Sequence, residues 1–142
     1  MIREARGFFD DEGVLHAAPR IRIGISFGRD RVIATPAFVD TGSDVCVLPP
    51  DIVPWPLPDG PTMAVIVEGV GREPFPATAY FPTITAGDLR IPGVATVLLP
   101  GVEPILGRSF LNACAVHLSA KRQLVRLRAS ANAGPDAPRS AG

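Results

Sequence analysis

The chain has 142 residues, enough for one domain with a buried core, and its 14 Lys and Arg residues balance its 14 Asp and Glu residues. Without net charge, the protein lacks the positive field that recruits nucleic acid or an anionic membrane surface. No apolar run approaches the roughly 18 residues of a membrane-spanning helix, which argues against a membrane span.

The N-terminal residues are the hardest to interpret. Residues 1–6 have mixed charge with no apolar segment behind them, so they do not resemble a secretory signal, and we expect a cytoplasmic protein. We treat residues 1–19 as an N-terminal arm of uncertain structure, which either packs on a partner or frays.

The middle of the chain has the pattern of strands. Sixteen prolines and 14 glycines divide the chain into short segments, and these are rich in Val, Ile, Phe and Thr. Residues 21–27 alternate apolar and polar side chains, which predicts a half-buried strand, and residues 32–39 return after a turn at residues 28–30. Residues 62–67 and 75–81 flank a glycine-bearing tip, which predicts a hairpin.

Short strands are also predicted towards the C-terminus. One pair surrounds the turn at residues 86–88, and another strand covers residues 94–99. Only residues 107–113 have the appearance of a helix. Residues 115–118 and 123–127 then form a final hairpin.

These elements predict a single all-β domain at residues 20–128, with closed or nearly closed sheets and one short C-terminal helix. Residues 129–142 are small, polar or Pro, which predicts a disordered tail.

The cysteines and histidines do not indicate a metal site or a disulfide framework. Cys46 and Cys114 lie in apolar strings and are interpreted as small buried hydrophobic residues. His16 and His117 are far apart, and neither has a nearby Cys or His at the spacing of metal ligands. We expect neither a metal nor a cofactor.

The most informative segment is residues 37–48, in which an apolar strand leads into Asp40-Thr41-Gly42 and a second apolar strand follows. The tripeptide alone is a common turn, because Asp and Thr bond their own backbone and Gly accepts a positive φ. An exposed turn seldom needs Ala-Phe-Val before it and Val-Cys-Val-Leu after it. The flanking residues therefore favour a functional carboxylate.

A second segment, residues 104–111, combines Ile-Leu-Gly-Arg with a short helix. The chain thus has, in order, a strand pair, Asp-Thr-Gly-Ser, a glycine-tipped hairpin, Ile-Leu-Gly-Arg, a helix and a final strand. This order resembles the retropepsin-like (retroviral-type) aspartic proteases and their single-domain bacterial members. The resemblance covers residues 20–127 and implies a closed β-barrel with a flap hairpin and peptide hydrolase activity.

The chemistry explains why one Asp-Thr-Gly is not enough. Hydrolysis of a peptide bond by carboxyl groups needs one as a base towards water and one as an acid towards the amide nitrogen. Two carboxyl groups about 3 Å apart share one proton and supply both. This chain has one Asp-Thr-Gly, so the second carboxyl must be Asp40 of another copy across a two-fold axis. We expect a homodimeric endopeptidase acting on peptides or unfolded proteins.

The resemblance also implies roles for individual residues. Asp40 is the catalytic residue, Thr41 bonds across the two-fold axis, and Gly42 permits close approach and offers its carbonyl to substrate. Asp44 and Arg108 lie where the family pairs a carboxylate with an arginine near the cleft rim, although both could be ordinary surface charges. The implied substrate-binding residues are Ser43, Asp44, Val45, Val47, the flap-tip residues Gly69, Val70 and Gly71, and Ile105.

Two other hypotheses stay open at this point. A retropepsin-fold module that binds peptides or dimerises without cleaving them also explains a chain with half a site. A β-barrel that binds a small ligand explains the apolar strands but makes Asp40 and residues 105–107 coincidences. The intact Asp-Thr-Gly favours the enzyme, because a module without catalysis has no need of a carboxylate that repels its symmetry mate.

Overall fold

Twelve strands and one short helix form the regular structure of the residues that the computed structural model describes, which are 1–28, 31–69, 71–130 and 134. The helix has four residues, so no helix in these ranges is long enough to cross a membrane. The elements are β1 (Ile2–Asp10), β2 (Ala18–Ser26), β3 (Ile33–Val39), β4 (Cys46–Leu48), β5 (Thr62–Gly69), β6 (Arg72–Tyr80), β7 (Thr83–Ala86), β8 (Leu89–Ile91), β9 (Thr96–Leu98), β10 (Ile105–Leu106), α1 (Arg108–Leu111), β11 (Ala115–Ser119) and β12 (Leu124–Ser130).

The predicted strands correspond closely to observed ones, but the helix is shorter than predicted. The turn between β2 and β3 begins at Gly28, which has a φ of 92°, and residues 29 and 30 lie outside the described ranges. The helix was expected from residue 107, yet Gly107 has extended backbone (φ −98°, ψ −171°) and α1 begins at Arg108. The helical turn therefore starts only after the chain has passed Gly107.

The N-terminal segment is a full strand of the sheet. β1 pairs antiparallel with β12 from Ile2 opposite Ser130 to Phe8 opposite Leu124. Its last residues, from Phe8 to Asp10, pair with the start of β2. Because β12 runs to Ser130, Ala129 and Ser130 belong to the sheet and not to the tail predicted from residue 129. Of the later tail residues, only Gly134 lies within the described ranges.

All twelve strands join in one hydrogen-bonded sheet, in the order β11-β12-β1-β2-β3-β10-β4-β9-β6-β5, with β7 paired to β2 and β8. β10 runs parallel to β3 and β9 runs parallel to β4, while the other pairs are antiparallel. Within the described residues this path has two free ends, at β11 and β5. The closed barrel that the resemblance implied is therefore not confirmed.

The core lies under the segment around Asp40. Ile21, Ile23 and Ile25 of β2 are at most 2% exposed, whereas Arg22 between them is exposed, as the period-two pattern predicted. Leu106 of β10 and Phe110 of α1 are fully buried in the same cluster. Each such side chain contributes roughly 1.5–3 kcal/mol through removal from water. Asp40 thus directly follows a strand whose residues Ala37 and Val39 belong to this buried cluster.

Gly7 provides a test of β1 as an integral strand. A Cβ built on Gly7 would stand 2.1 Å from the carbonyl oxygen of Arg20 on β2. Gly7→Ala must therefore push β1 away from β2, and we expect the free energy of unfolding in urea to fall by about 1–3 kcal/mol. The matched control is Gly60→Ala, because the nearest atom to its Cβ is 4.0 Å away. Equal stability of the two variants would contradict the packing of β1.

Candidate active site

The main chain of Asp40 is held by a short parallel ladder. Asp40 directly follows β3, and its N–H donates to the carbonyl of Leu106 at 3.1 Å. Two residues earlier, the N–H of Phe38 donates to the carbonyl of Pro104 at 2.9 Å. These bonds tie the end of β3 to β10, so the predicted Ile-Leu-Gly-Arg segment does pass beside the Asp-Thr-Gly turn.

The turn itself orients the carboxylate of Asp40. Oδ1 accepts a hydrogen bond from the N–H of Gly42 at 2.9 Å, and the Asp40 carbonyl accepts from the N–H of Ser43 at 3.3 Å. This is the local bonding that Asp supplies in turns. The Asp40 side chain is half-buried, whereas Thr41 and Gly42 are exposed. One carboxylate oxygen is therefore held by its own turn, at a surface that is open in the single chain.

Gly107 allows the start of α1 to approach the segment after Asp40 closely. A Cβ on Gly107 would lie 2.1 Å from the carbonyl oxygen of Val45 and 2.9 Å from that of Ser43. The next two residues complete the contact, because Arg108 N–H donates to the Ser43 carbonyl at 2.8 Å. Ser109 N–H donates to the Asp44 carbonyl at 3.1 Å. The start of α1 thus supports the segment after Asp40 through main-chain contacts.

Ser109 links three parts of the site and was missed from the sequence. Its hydroxyl donates to the carbonyl of Ala95 at 2.8 Å and accepts from the N–H of Cys46 at 3.1 Å. A serine in a short helix has no pattern that would reveal this role. The hydroxyl joins α1 to β4 and to the residue before β9.

Cys46 is buried, as predicted, and Cys114 is half-buried. The Sγ atom of Cys46 accepts a hydrogen bond from the N–H of Gly107 at 3.3 Å. Burial raises the pKa of the Cys46 thiol above its ordinary value, and burial likewise raises the pKa of Cys114 to about 11. Both thiols therefore stay protonated near neutral pH and serve as small packing groups.

Asp44 and Arg108 form the ion pair that the resemblance implied, between Asp44 Oδ1 and Arg108 Nη2. The Asp44 side chain is 85% exposed and that of Arg108 is 44% exposed. An ion pair in that much water contributes about 1 kcal/mol or less. The pair shapes the rim of the site without being a major source of stability.

A cleft of about 600 Å³ lies between the turn after Asp40 and the β5–β6 hairpin. This volume is in the range of ligand-binding pockets. The cleft brings together six of the residues assigned from sequence, and its lining also includes residues that sequence reasoning missed. The assigned ones are Gly42, Ser43, Asp44, Val45, Val47 and Gly69, and the missed ones are Val65, Ile66, Val67, Arg72, Phe75, Val97 and Leu99; Glu68, interpreted from sequence as a charge at the cleft rim, also lines the cleft.

Some assigned residues are not in the lining of this cleft. Asp40 and Thr41 directly precede Gly42, which lines the cleft, but they are not part of the lining themselves. Gly71 and Ile105 are also absent from the lining that the described residues form. Ile105 pairs with Phe38 and Val47 inside the sheet. Val70 lies outside the described residues.

The inner face of the hairpin could not be identified from sequence. Val65, Val67 and Phe75 are half-buried, and Val67 pairs with Phe75 across the two strands. Their neighbour Ile66 is also apolar but 64% exposed. Because β5 is apolar on both faces, its alternation does not show which face meets the cleft.

Comparison with known proteins gives a family-model match and matches to solved structures. The family model described as retroviral aspartyl protease matches residues 15–119. The crystal structure of a retropepsin-like aspartic protease from Rickettsia conorii matches with a TM-score of 0.63 and 14% sequence identity, over 91% of this chain and 92% of that chain. At this identity the likeness shows a shared fold. No curated protein sequence matches this chain.

Ser109→Ala tests the support of the site. The substitution removes a hydroxyl that bonds Ala95 and Cys46 in a partly buried position, so we expect the free energy of unfolding to fall by about 1–3 kcal/mol. The control is Ser119→Ala, whose hydroxyl accepts a solvent-exposed hydrogen bond from Arg122 N–H. A Ser109→Ala protein as stable as the control in urea unfolding would show that the hydroxyl is dispensable.

Proposed function

The chain belongs to the retroviral aspartyl protease family, and we propose that it is an aspartic endopeptidase, active as a homodimer, in which each chain supplies Asp40. One observation carries this proposal. The Asp40 carboxylate accepts from Gly42 N–H, the Asp40 main-chain N–H donates to the Leu106 carbonyl, and the residues that follow this turn line a 600 Å³ cleft. The family resemblance, the single carboxyl and the cleft then point to the same chemistry.

Dimerisation follows from the requirement for two carboxyl groups. One Asp40 cannot take a proton from water and give a proton to the amide nitrogen in the same step. Thr41 and Gly42 are exposed in the single chain, so a second copy has access to the turn around a two-fold axis. We propose that Thr41 bonds across this axis and that the two Asp40 carboxyls lie about 3 Å apart, sharing one proton.

The reaction uses the two Asp40 groups in different protonation states. The ionised Asp40 takes a proton from a water molecule, whose oxygen attacks the carbonyl carbon of the peptide bond. The partner subunit's Asp40, which is protonated, gives its proton to the amide nitrogen. The C–N bond of the tetrahedral intermediate then breaks, releasing a carboxylic acid and an amine.

Substrate binds in the cleft as an extended peptide. The floor is Val45 and Val47, and the β5–β6 hairpin with Val67 and Phe75 faces it. This arrangement suits an added strand with medium-sized apolar side chains beside the scissile bond. Gly42 offers its carbonyl to the peptide, and Ser43 and Asp44 contact it at the rim.

The β5–β6 hairpin acts as the flap in this proposal. Gly69 pairs with Arg72, and Gly71 has a φ of 74°, a backbone conformation that favours glycine. We propose that Gly69, Val70 and Gly71 close over the bound peptide and exclude water. Ile105 contributes to substrate binding by supporting the cleft floor, because it pairs with Val47.

Asp40→Asn tests the carboxyl mechanism. An amide cannot take the proton from water, so we expect cleavage of denatured casein to fall at least about 1000-fold. The circular dichroism spectrum and the molecular mass in solution should stay unchanged, because the amide oxygen still accepts the hydrogen bond from Gly42 N–H. Asp51→Asn, at an exposed acid in a short 3-10 turn, should cleave like the wild type. Cleavage retained by Asp40→Asn would rule out the carboxyl mechanism, whereas a wild-type protein that cleaves nothing would favour a module that binds without cleaving.

Dilution tests the shared site. If each active site needs two chains, activity per chain must fall once the protein is diluted below the dissociation constant of the dimer. Initial rates and sedimentation velocity should be measured over the same concentration series, and we expect activity to follow the dimer fraction. A monomeric species with full activity per chain would contradict the proposal.

A further inference from the structure

Arg20 is the one buried charged side chain in the described part of the chain, with 7% of its surface exposed. Removing a guanidinium from water is costly unless other groups replace the water. Arg20 lies near the start of β2, outside the residues assigned to the site. The groups that contact the Arg20 guanidinium therefore indicate its role.

The guanidinium of Arg20 joins two segments that are far apart in sequence. Its Nε atom lies 3.1 Å from Asp10 Oδ1, in an ion pair without hydrogen-bond geometry. Its Nη2 atom donates to the carbonyl of Glu12 and lies 3.7 Å from Glu103 Oε2. The first two partners belong to the end of β1 and the β1–β2 loop, and Glu103 belongs to the segment that leads into β10.

The same guanidinium lies over an aromatic ring of β3. The Cζ atom of Arg20 is 4.2 Å from the centre of the Phe38 ring, in a cation–π contact, and the two residues pair across β2 and β3. Phe38 is two residues before Asp40. The contact therefore acts on the end of the strand that presents the carboxylate.

Arg20 thus contacts both sides of the ladder that holds Asp40. On one side it contacts the Phe38 ring. On the other it contacts Glu103, which precedes Pro104, the residue whose carbonyl accepts from Phe38 N–H. A planar guanidinium makes these contacts at once, which a flexible ammonium group does not.

We propose that Arg20 is a positioning residue for Asp40. It clamps β3 and the segment before β10 together, so that the two Asp40 carboxyls of the dimer meet at the separation at which they share a proton. This inference rests on the proposed function. A misplacement of about 1 Å can lower a rate about 100-fold, so a clamp two residues from the carboxylate affects turnover.

Register strengthens the placement of this clamp. Arg20 lies opposite Phe38, and Ala18 lies opposite Asp10. Ala18 is two residues before Arg20 on β2, and Asp40 is two residues after Phe38 on the antiparallel β3. Asp10 and Asp40 therefore lie at the same end of the sheet. The loop that Arg20 holds through Glu12 leaves the sheet beside the Asp40 turn.

The test compares Arg20→Met and Arg20→Lys with Arg22→Met, in the full-length protein above its dimer dissociation constant. Arg22 is on the same strand but exposed. We expect Arg20→Met to lower kcat about 10- to 100-fold with little change in KM, since Asp40 and not the cleft is displaced. Arg20→Lys should recover part of kcat, and Arg22→Met should match the wild type. An unchanged kcat per folded dimer in Arg20→Met would overturn the inference.

Phe38→Leu gives a second route if Arg20→Met does not fold. Because Arg20 acts on β3 through the Phe38 ring, Phe38→Leu should also lower kcat. In the double variant with Arg20→Lys, the decrease in kcat should be smaller than the product of the two separate decreases. Independent effects of the two substitutions would show that Arg20 does not act through Phe38.

Amide hydrogen exchange separates this inference from the proposed function. Phe38 and Asp40 N–H groups bond to Pro104 and Leu106, and we expect them to exchange about tenfold faster in Arg20→Lys than in Arg22→Met. Unchanged exchange would overturn the clamp even in an active enzyme. A wild-type protein that cleaves nothing would overturn the proposed function, while the exchange rates would still decide whether Arg20 holds this ladder.

Discussion

The parallel pairing of β3 with β10 is the constraint on which the rest of the structure depends. Asp40 N–H bonds to the Leu106 carbonyl at the end of this pairing, so the chain turns after Asp40 and not before it. Parallel strands cannot be joined by a tight turn. The long connection between β3 and β10 contains the β5–β6 hairpin, and this hairpin forms the far wall of the cleft.

Buried contacts, and not the visible surface charges, hold this region together. Gly107 packs against the carbonyls of Ser43 and Val45 at distances that leave no room for a side chain. Ser109 satisfies main-chain groups on two strands, while the Asp44–Arg108 pair is mostly in water. Contacts shielded from water are weakened less by solvation and screening. The contacts of Gly107 and Ser109 therefore stabilise this region more than the Asp44–Arg108 pair does.

A single chain holds half of the proposed chemistry. Its Asp40 carboxylate is held by Gly42, its cleft has an apolar floor, and its Thr41–Gly42 turn is exposed. The free ends of the sheet at β11 and β5 likewise show that this chain does not close on itself within the described residues. The proposed dimer places two such open turns together, which makes the accuracy of each turn a condition of catalysis.

The sequence by itself determined the strand-rich class, most strand positions and the Asp40 turn, because alternating apolar residues and an Asp-Thr-Gly between apolar strands are local signals. It also led to the family through the order of its motifs. Only the tertiary structure decided that β1 joins the sheet, that Val67 and Phe75 face the cleft, that Arg20 contacts Phe38, and that Ser109 and Gly107 contact the segment after Asp40. These roles arise from contacts between residues distant along the chain, and such contacts leave no periodic pattern in the sequence.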